Sequence, residues 1–203
     1  MRLAIERLNT PIGTLLLVSD EDGRVRALDF DDYEARMLRL LKTHYGAPTL
    51  APGPAPTPVR RTLDAYFAGD LGAIDEIPVA TGGTPFQRTV WAALLRIPAG
   101  MTTSYGALAV TIGRPSAMRA VGLAVGSNPV AVIVPCHRVI GADHSLTGYA
   151  GGLARKRWLL AHEGLELSDG RVRQKRADNI GSRPQPSRPE KRDFAARRQI
   201  DQH

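Results

Sequence analysis

The sequence predicts an α+β fold in which a strand-rich N-terminal unit precedes a mainly helical C-terminal unit. Apolar residues alternate from Leu3, and an apolar run at 15–18 leads to the hairpin signal Asp22-Gly23, which predicts antiparallel strands. Apolar residues at helical spacing between Tyr33 and Tyr45 then predict a helix. We place the boundary at Gly82-Gly83, because helical segments dominate after it.

The rest of the N-terminal unit, residues 1–81, contains a proline-rich stretch and a second helix. Five prolines between residues 48 and 58 predict a loop or linker. Residues 60–68 predict a helix that Gly69 ends. No pattern in this unit points to a particular chemistry.

The C-terminal unit, residues 82–167, opens with a strong helix start at Thr84-Pro85-Phe86-Gln87. Thr84 can cap the amide of Gln87, whose side chain can reach back, and Pro85 suits the first helical position. An apolar, β-branched run at 130–135 predicts a buried strand, and residues 153–162 predict the last helix.

Two short helices, predicted over 104–112 and 116–126, surround Gly113-Arg114-Pro115 in a helix-turn-helix pattern. On the second helix the apolar face holds Ala117, Met118, Val121 and Val125. Arg119 points nearly opposite, flanked by Ser116, Gly122 and Gly126. A glycine-lined outer face allows close approach of another surface. The alternative is an ordinary solvated arginine on a weak helix.

Charge and composition narrow the class of protein. The chain of 203 residues has 27 Lys/Arg and 20 Asp/Glu, a net charge of +7, of which residues 168–203 carry +5. This basic tail is predicted to be a disordered, solvated extension; contact with a polyanion is the alternative. No apolar run reaches the roughly 18 residues that span a bilayer, and the first residues do not form a secretion signal. We therefore expect a cytoplasmic protein, or a nuclear one in a eukaryote, without membrane contact.

Cys136 is the single cysteine, which excludes an internal disulfide and a cysteine-rich zinc site. The five histidines show no paired ligand spacing, so we expect no metal and no cofactor. Cys136 could be a nucleophile, with His137 as its base and Glu163 orienting that base. The sequence pattern alone leaves open that Cys136 is a small buried apolar residue.

Cys136 lies in the motif Pro135-Cys136-His137-Arg138-Val139. Before this motif stands Ser127-Asn128-Pro129, and after it stands Gly148-Tyr149-Ala150-Gly151-Gly152-Leu153. Together these segments closely resemble the 6-O-alkylguanine-DNA alkyltransferase family. The resemblance is dense from Gly83 to Gly164 and looser over residues 1–80. It implies a ribonuclease-H-like N-terminal domain and a C-terminal domain with a winged helix-turn-helix. It does not cover residues 168–203.

The resemblance implies DNA repair by irreversible alkyl transfer from 6-O-methylguanine, and from 4-O-methylthymine, to Cys136. His137 would act as a base through a water molecule, with Glu163 as its partner. Tyr105 would donate a proton or hydrogen bond to the guanine ring. The product is a thioether, so the protein would act once per molecule.

The resemblance also implies contact with double-stranded DNA in the minor groove, without sequence specificity, by a monomer. Arg119 would fill the space of the everted nucleotide, and Tyr105, Ser116, Ala120 and Gly122 would contact DNA. The residues expected around the substrate pocket are Asn128, Val139, Tyr149, Ala150, Gly151 and Lys156. Some relatives have serine at the position of Ala150, which puts a side-chain hydroxyl contact there in doubt.

Two other functions remain open at this point. A DNA-binding module without chemistry would need no cysteine, so Cys136 argues against it. A hydrolase using Cys136 and His137 would turn over repeatedly, but the sequence shows no oxyanion-hole motif beyond its glycine content.

Overall fold

The computed structural model describes residues 1–173 of the chain. The N-terminal domain is built on one four-stranded sheet. Its strands are β1 Arg2–Thr10, β2 Gly13–Ser19, β3 Val25–Phe30 and β4 Thr49–Pro52. Their spatial order is β3-β2-β1-β4; β1 and β3 are antiparallel to β2, and β4 is parallel to β1.

Strand β2 is buried on both faces, which explains its unbroken apolar run at 15–18. Leu16 and Val18 pack with helix α1 (Glu34–Tyr45). Leu15 and Leu17 face the larger core, which continues into the C-terminal domain. The two domains therefore share one hydrophobic core through this strand.

The prediction of a loop over the proline-rich stretch is wrong for residues 49–52, which form β4 at the sheet edge. An edge strand tolerates proline, because one side of its backbone needs no ladder partner. Helix α2 (Thr57–Phe67) begins three residues before the predicted start, with Pro58 in its first turn.

The C-terminal domain contains four helices among the described residues. The capping box of Thr84 and Gln87 is present at the first of them, as predicted. The predicted helix-turn-helix pair is also present, with a 3₁₀ turn at Pro115–Ala117 between its members. The helices are α3 Pro85–Leu94, α4 Tyr105–Thr111, α5 Met118–Gly126 and α6 Leu153–His162.

Two short strand pairs complete this domain. β5 (Thr103–Ser104) is parallel to β6 (Val139–Ile140). β7 (Leu167–Ser168) and β8 (Arg171–Val172) form a hairpin.

The hairpin corrects the expected start of the tail at residue 168. Val172 is buried in a cluster with Ile140 and Leu160, so the packed domain continues past residue 167. Residues 174–203, with eight Lys/Arg and four Asp/Glu, lie outside the described residues.

The predicted strand at 130–135 is wrong: the segment is buried but follows successive turns, and Val132 has a φ of 68°. Only Val130 forms a bridge, to Leu28 of β3. The Asn128 amide donates to the carbonyls of Val130 and Val134, which replaces strand partners. Because a buried apolar run carries no periodicity, the sequence could not distinguish these turns from a strand.

Within residues 1–173, no helix has the length and apolar character needed to cross a membrane. The same part of the chain holds no cluster of three or more His, Cys, Asp or Glu side chains arranged for a metal ion.

Candidate active site and nucleic-acid interface

Cys136 opens a 3₁₀ turn, Cys136–Arg138, that directs three consecutive side chains to different surroundings. The thiol is 6% exposed and lines a cavity of about 240 Å³, here called the thiol cavity. The other lining residues come from α4, α5 and the glycine-rich loop, residues 148–152. They are Tyr105, Gly122, Val125, Gly126, Gly148, Tyr149 and Ala150. The turn therefore presents the sulfur to a space bounded by the helix-turn-helix pair.

The surroundings of Cys136 keep its thiol protonated. Burial raises its pKa, and this outweighs the opposing effects of a hydrogen bond from Asn128 and the positive charges of Arg36 and Lys156. The Asn128 Nδ2 atom lies 3.2 Å from the sulfur. The thiol needs a base before it can act as a nucleophile at neutral pH.

His137 and Glu163 form a fully buried pair, with 2.9 Å between Nε2 and Oε1. Burial lowers the pKa of His137, although the Glu163 hydrogen bond and charge oppose this. Since Glu163 is ionised, Nε2 carries the proton and donates it to the carboxylate. Nδ1 has no partner among the described residues, and the imidazole ring meets the Tyr149 ring edge-on at 6.4 Å. The free nitrogen is thus the basic one, on a ring beside a wall of the thiol cavity.

Glu163 is held by more groups than the sequence suggested. Arg138 donates from Nε to Oε2 at 2.9 Å and from Nη2 to Oε1 at 2.8 Å. The Tyr66 hydroxyl of α2 donates to Oε1 at 2.9 Å. Burial alone would raise the pKa of Glu163, but hydrogen bonds and charges from His137 and Arg138 lower it to about 2. We call these four residues the Glu163 cluster.

Sequence reasoning missed Tyr66 and Arg138 as site residues. Arg138 belongs to the Pro135–Val139 motif itself, which was a usable signal. Tyr66 belongs to the other domain, and on the sequence it looks like one more apolar residue of α2. Its burial, followed by the nearby Glu163 charge, raises its pKa well above its usual value, so it remains a donor.

Lys156 of α6 fixes the loop that covers the thiol cavity. Its Nζ donates to the carbonyls of Val139 at 2.6 Å and Thr147 at 2.7 Å. Burial lowers the pKa of Lys156 to about 8. The Val139 side chain packs in the core and does not line the cavity.

The glycine-rich loop also packs on the N-terminal domain. A Cβ atom on Gly151 would lie 2.5 Å from the Phe30 ring, so glycine is required there. Gly151 does not line the cavity, whereas its neighbours Tyr149 and Ala150 do. The Tyr149 hydroxyl is buried and has no partner among the described residues.

The predicted DNA-contacting residues lie around the cavity mouth and on an exposed helix surface. Tyr105 lines the cavity, with its hydroxyl 3.5 Å from Thr147 Oγ1. Arg119, Ser116 and Ala120 are exposed and do not line it. Arg119 makes no ion pair or side-chain hydrogen bond with residues 1–173.

We define the outer face of α5 as Arg119, Gly122, Leu123 and Gly126. Leu123, which sequence reasoning did not single out, is exposed. Met118, expected on the buried face, is 54% exposed and is the first residue of α5.

A second cavity, of about 780 Å³, lies between the start of α4 and the β7–β8 hairpin. It is larger than the thiol cavity, but Cys136 does not line it. Because Cys136 does not line it, we do not assign the reaction to this larger cavity.

Comparison with known proteins agrees with this arrangement. Residues 5–81 match the model of the 6-O-methylguanine DNA methyltransferase ribonuclease-like domain, and residues 85–165 match the DNA binding domain of the same family. The methylated-DNA–protein-cysteine methyltransferase of Shigella flexneri is 51% identical over 82% of this chain and 99% of its own. That of Methanosarcina acetivorans is 46% identical over 76% of this chain and 94% of its own.

Solved structures give the same result. The Mycobacterium tuberculosis OGT in complex with DNA is 42% identical, with a TM-score of 0.65 over 80% of this chain and 92% of that one. The O6-methylguanine-DNA methyltransferase of Pyrococcus kodakaraensis is 26% identical, with a TM-score of 0.60 over 80% of this chain and 99% of that one. From the shared fold, the two matched domain models and the extent of identity, the chain belongs to the 6-O-methylguanine DNA methyltransferase family.

Proposed function

We propose that the protein repairs DNA by moving the alkyl group of 6-O-methylguanine to Cys136, once per protein molecule. The observation that carries this proposal is the sulfur of Cys136 in a cavity bounded by the helix-turn-helix pair. A base can reach that sulfur only after it leaves the duplex stack. The same electrophile, a methyl carbon on an exocyclic oxygen, makes 4-O-methylthymine a second substrate.

The reaction begins when the Cys136 thiol gives its proton to His137 Nδ1, directly or through a water molecule. The thiolate attacks the methyl carbon in line with the leaving guanine oxygen, so a sulfur–carbon bond forms as the carbon–oxygen bond breaks. The electron pair of the broken bond moves into the guanine ring, and Tyr105 donates a proton or hydrogen bond to that ring. Overall, one proton passes from the thiol to guanine.

The Glu163 cluster supports this step without touching the substrate. Glu163 fixes the tautomer of His137 that leaves Nδ1 free, and its charge stabilises the imidazolium that forms. Because the product is a thioether, which is a poor leaving group, no residue of the site regenerates the thiol. The protein is thus consumed by its own reaction and needs no cofactor.

The outer face of α5 supports binding in the minor groove. A Cβ atom on Gly122 would come no closer than 3.8 Å to Tyr105, and one on Gly126 would meet nothing within 4 Å. Internal packing therefore does not require these glycines, although Gly122, inside α5, costs the helix about 1 kcal/mol relative to alanine. A close external surface explains them, and the minor groove, only about 6 Å wide, demands such an approach.

Arg119 lies beside this glycine pair on the exposed surface of α5, where its guanidinium can fill the place of the everted base. Ser116 and Ala120 border it and contact the sugar-phosphate backbone. Such contacts depend on shape and charge, so a monomer can scan any duplex without sequence preference.

The test is a count of lesions repaired by a known amount of protein in excess methylated duplex. Repair should stop at one lesion per protein molecule, and the Cys136→Ser protein should bind the duplex but repair nothing. Continued turnover would identify a hydrolase instead. Binding by the wild-type protein without any loss of methyl groups from DNA would leave only a lesion-recognition module.

A further inference from the structure

Leu123 has the most exposed large apolar side chain in residues 1–173, with 77% of its surface open to solvent. It lies in the middle of α5, a helix whose opposite face is buried through Val121, Ala124 and Val125. A single exposed leucine is common on a protein surface, so the meaning of Leu123 depends on the residues beside it on the helix.

The position of Leu123 around the helix axis is informative. Successive residues are about 100° apart, so Leu123 follows Arg119 by about 40° on one side, and Gly122 and Gly126 lie on the other side. The glycines line the thiol cavity and Leu123 does not. Arg119 therefore separates the cavity mouth from the leucine.

We propose that Leu123 packs in the minor groove against the deoxyribose wall of the strand opposite the lesion. This inference rests on the proposed function, in which the lesion strand sends its base into the thiol cavity on the glycine side of Arg119. The groove has two walls, and the side of Arg119 away from the cavity faces the undamaged strand. Leucine has no donor or acceptor, so it contacts sugar carbons and reads neither bases nor phosphates.

The chemistry of the outer face of α5 selects DNA over an apolar protein partner. Its one charged group, Arg119, is positive and makes no ion pair within residues 1–173. The flanking glycines admit a surface to the backbone. A polyanion with apolar sugar walls satisfies both Arg119 and Leu123.

The experiment measures affinity for methylated duplex in a Cys136→Ser background, which prevents reaction. Leu123→Ala should weaken duplex binding about tenfold, the loss expected when most of a leucine contact is removed. The slope of log affinity against log salt should stay unchanged, because no phosphate contact is lost. Affinity for the same methylated sequence as a single strand should not fall, because the opposite wall is absent. Leu123→Met should retain duplex affinity.

Leu38→Ala, on α1 of the N-terminal domain, is the matched control, because it shortens another exposed leucine. Unchanged or tighter duplex binding by Leu123→Ala would overturn the contact. An equal loss on single strands would overturn the strand assignment. Either failure is distinct from failure of the proposed function, which would appear as a wild-type protein that does not remove methyl groups from DNA.

Discussion

The Glu163 cluster is buried and the outer face of α5 is exposed, although the proposed reaction uses both. In the cluster, an ionised carboxylate accepts hydrogen bonds from an imidazole, a guanidinium and a phenol, all buried. On the outer face of α5, Arg119 has no ion pair within residues 1–173, Leu123 is exposed, and internal packing does not require Gly122 or Gly126. The buried Glu163 cluster sets the protonation states of its members within the folded protein, whereas the exposed face of α5 is expected to make its contacts with another molecule.

Removing the charge at the centre of the Glu163 cluster should have the largest effect on stability. Glu163→Gln leaves Arg138 buried without its counter-ion, which costs about 3–5 kcal/mol of stability. Urea denaturation measures this loss. Glu34→Gln is the control, because Glu34 forms an exposed pair with Arg7 and should change little. Equal effects of the two substitutions would show that the Glu163 cluster is not a stabilising unit.

The cluster also predicts a direction of pH dependence. The pKa of Glu163 falls from its ordinary 4.5 to about 2 in the folded protein, so its contribution to stability is complete above pH 4.5. That contribution disappears as the pH falls from about 4.5 to about 2. The free energy of unfolding of the wild type should therefore drop more steeply in this range than that of Glu163→Gln. Parallel curves would contradict the assigned pKa.

On the open face, Arg119→Ala should slow repair of duplex DNA by about tenfold or more, because nothing then fills the vacated stack. Reaction with free 6-O-methylguanine should change far less, since no base has to leave a stack. Single-turnover rates with the two substrates provide the test. Arg39→Ala, which removes an exposed charge from α1, is the control. Equal slowing with duplex and free base would remove this role from Arg119.

Tyr66→Phe should have a smaller effect on the Glu163 cluster. It removes one donor to Glu163 and should cost about 1 kcal/mol of stability. With one donor fewer, more of the Glu163 charge acts on His137, so the pKa of His137 should rise against the lowering effects of burial and of the charges of Arg138 and Lys156. The acid limb of the rate against pH should then move to higher pH.

Tyr45→Phe is the matched control for this positioning role. The Tyr45 hydroxyl donates to the Ala80 carbonyl and accepts from the Gly82 amide, away from the site. This variant should lose stability without a shift of the pH profile. A shift of equal size in both variants would mean that Tyr66 is only structural.

The sequence predicted features whose determinants are local. The capping box at Thr84, the hairpin at Asp22-Gly23 and the helix-turn-helix pair depend on residues a few positions apart. His137 and Glu163 were also candidates from the sequence, as the base and the orienting carboxylate for Cys136, and the family resemblance implied the same roles.

Features set by distant contacts were not predictable. Strand β4 exists because β1 offers a parallel edge, and the turns at 130–135 exist because Asn128 satisfies their carbonyls. Tyr66 and Glu163 are 97 residues apart, and no periodicity connects them. Leu123 was overlooked because an exposed leucine acquires meaning only when its neighbours on the surface are known.

The proposed reaction leaves the alkyl group on the sulfur of Cys136. Intact-protein mass spectrometry after incubation with methylated duplex, followed by peptide mapping, locates that group. The expected result is a gain of one methyl group in place of one hydrogen, located on Cys136 and absent from the Cys136→Ser protein. An unmodified protein beside demethylated DNA, or a methyl group on any other residue, would contradict it.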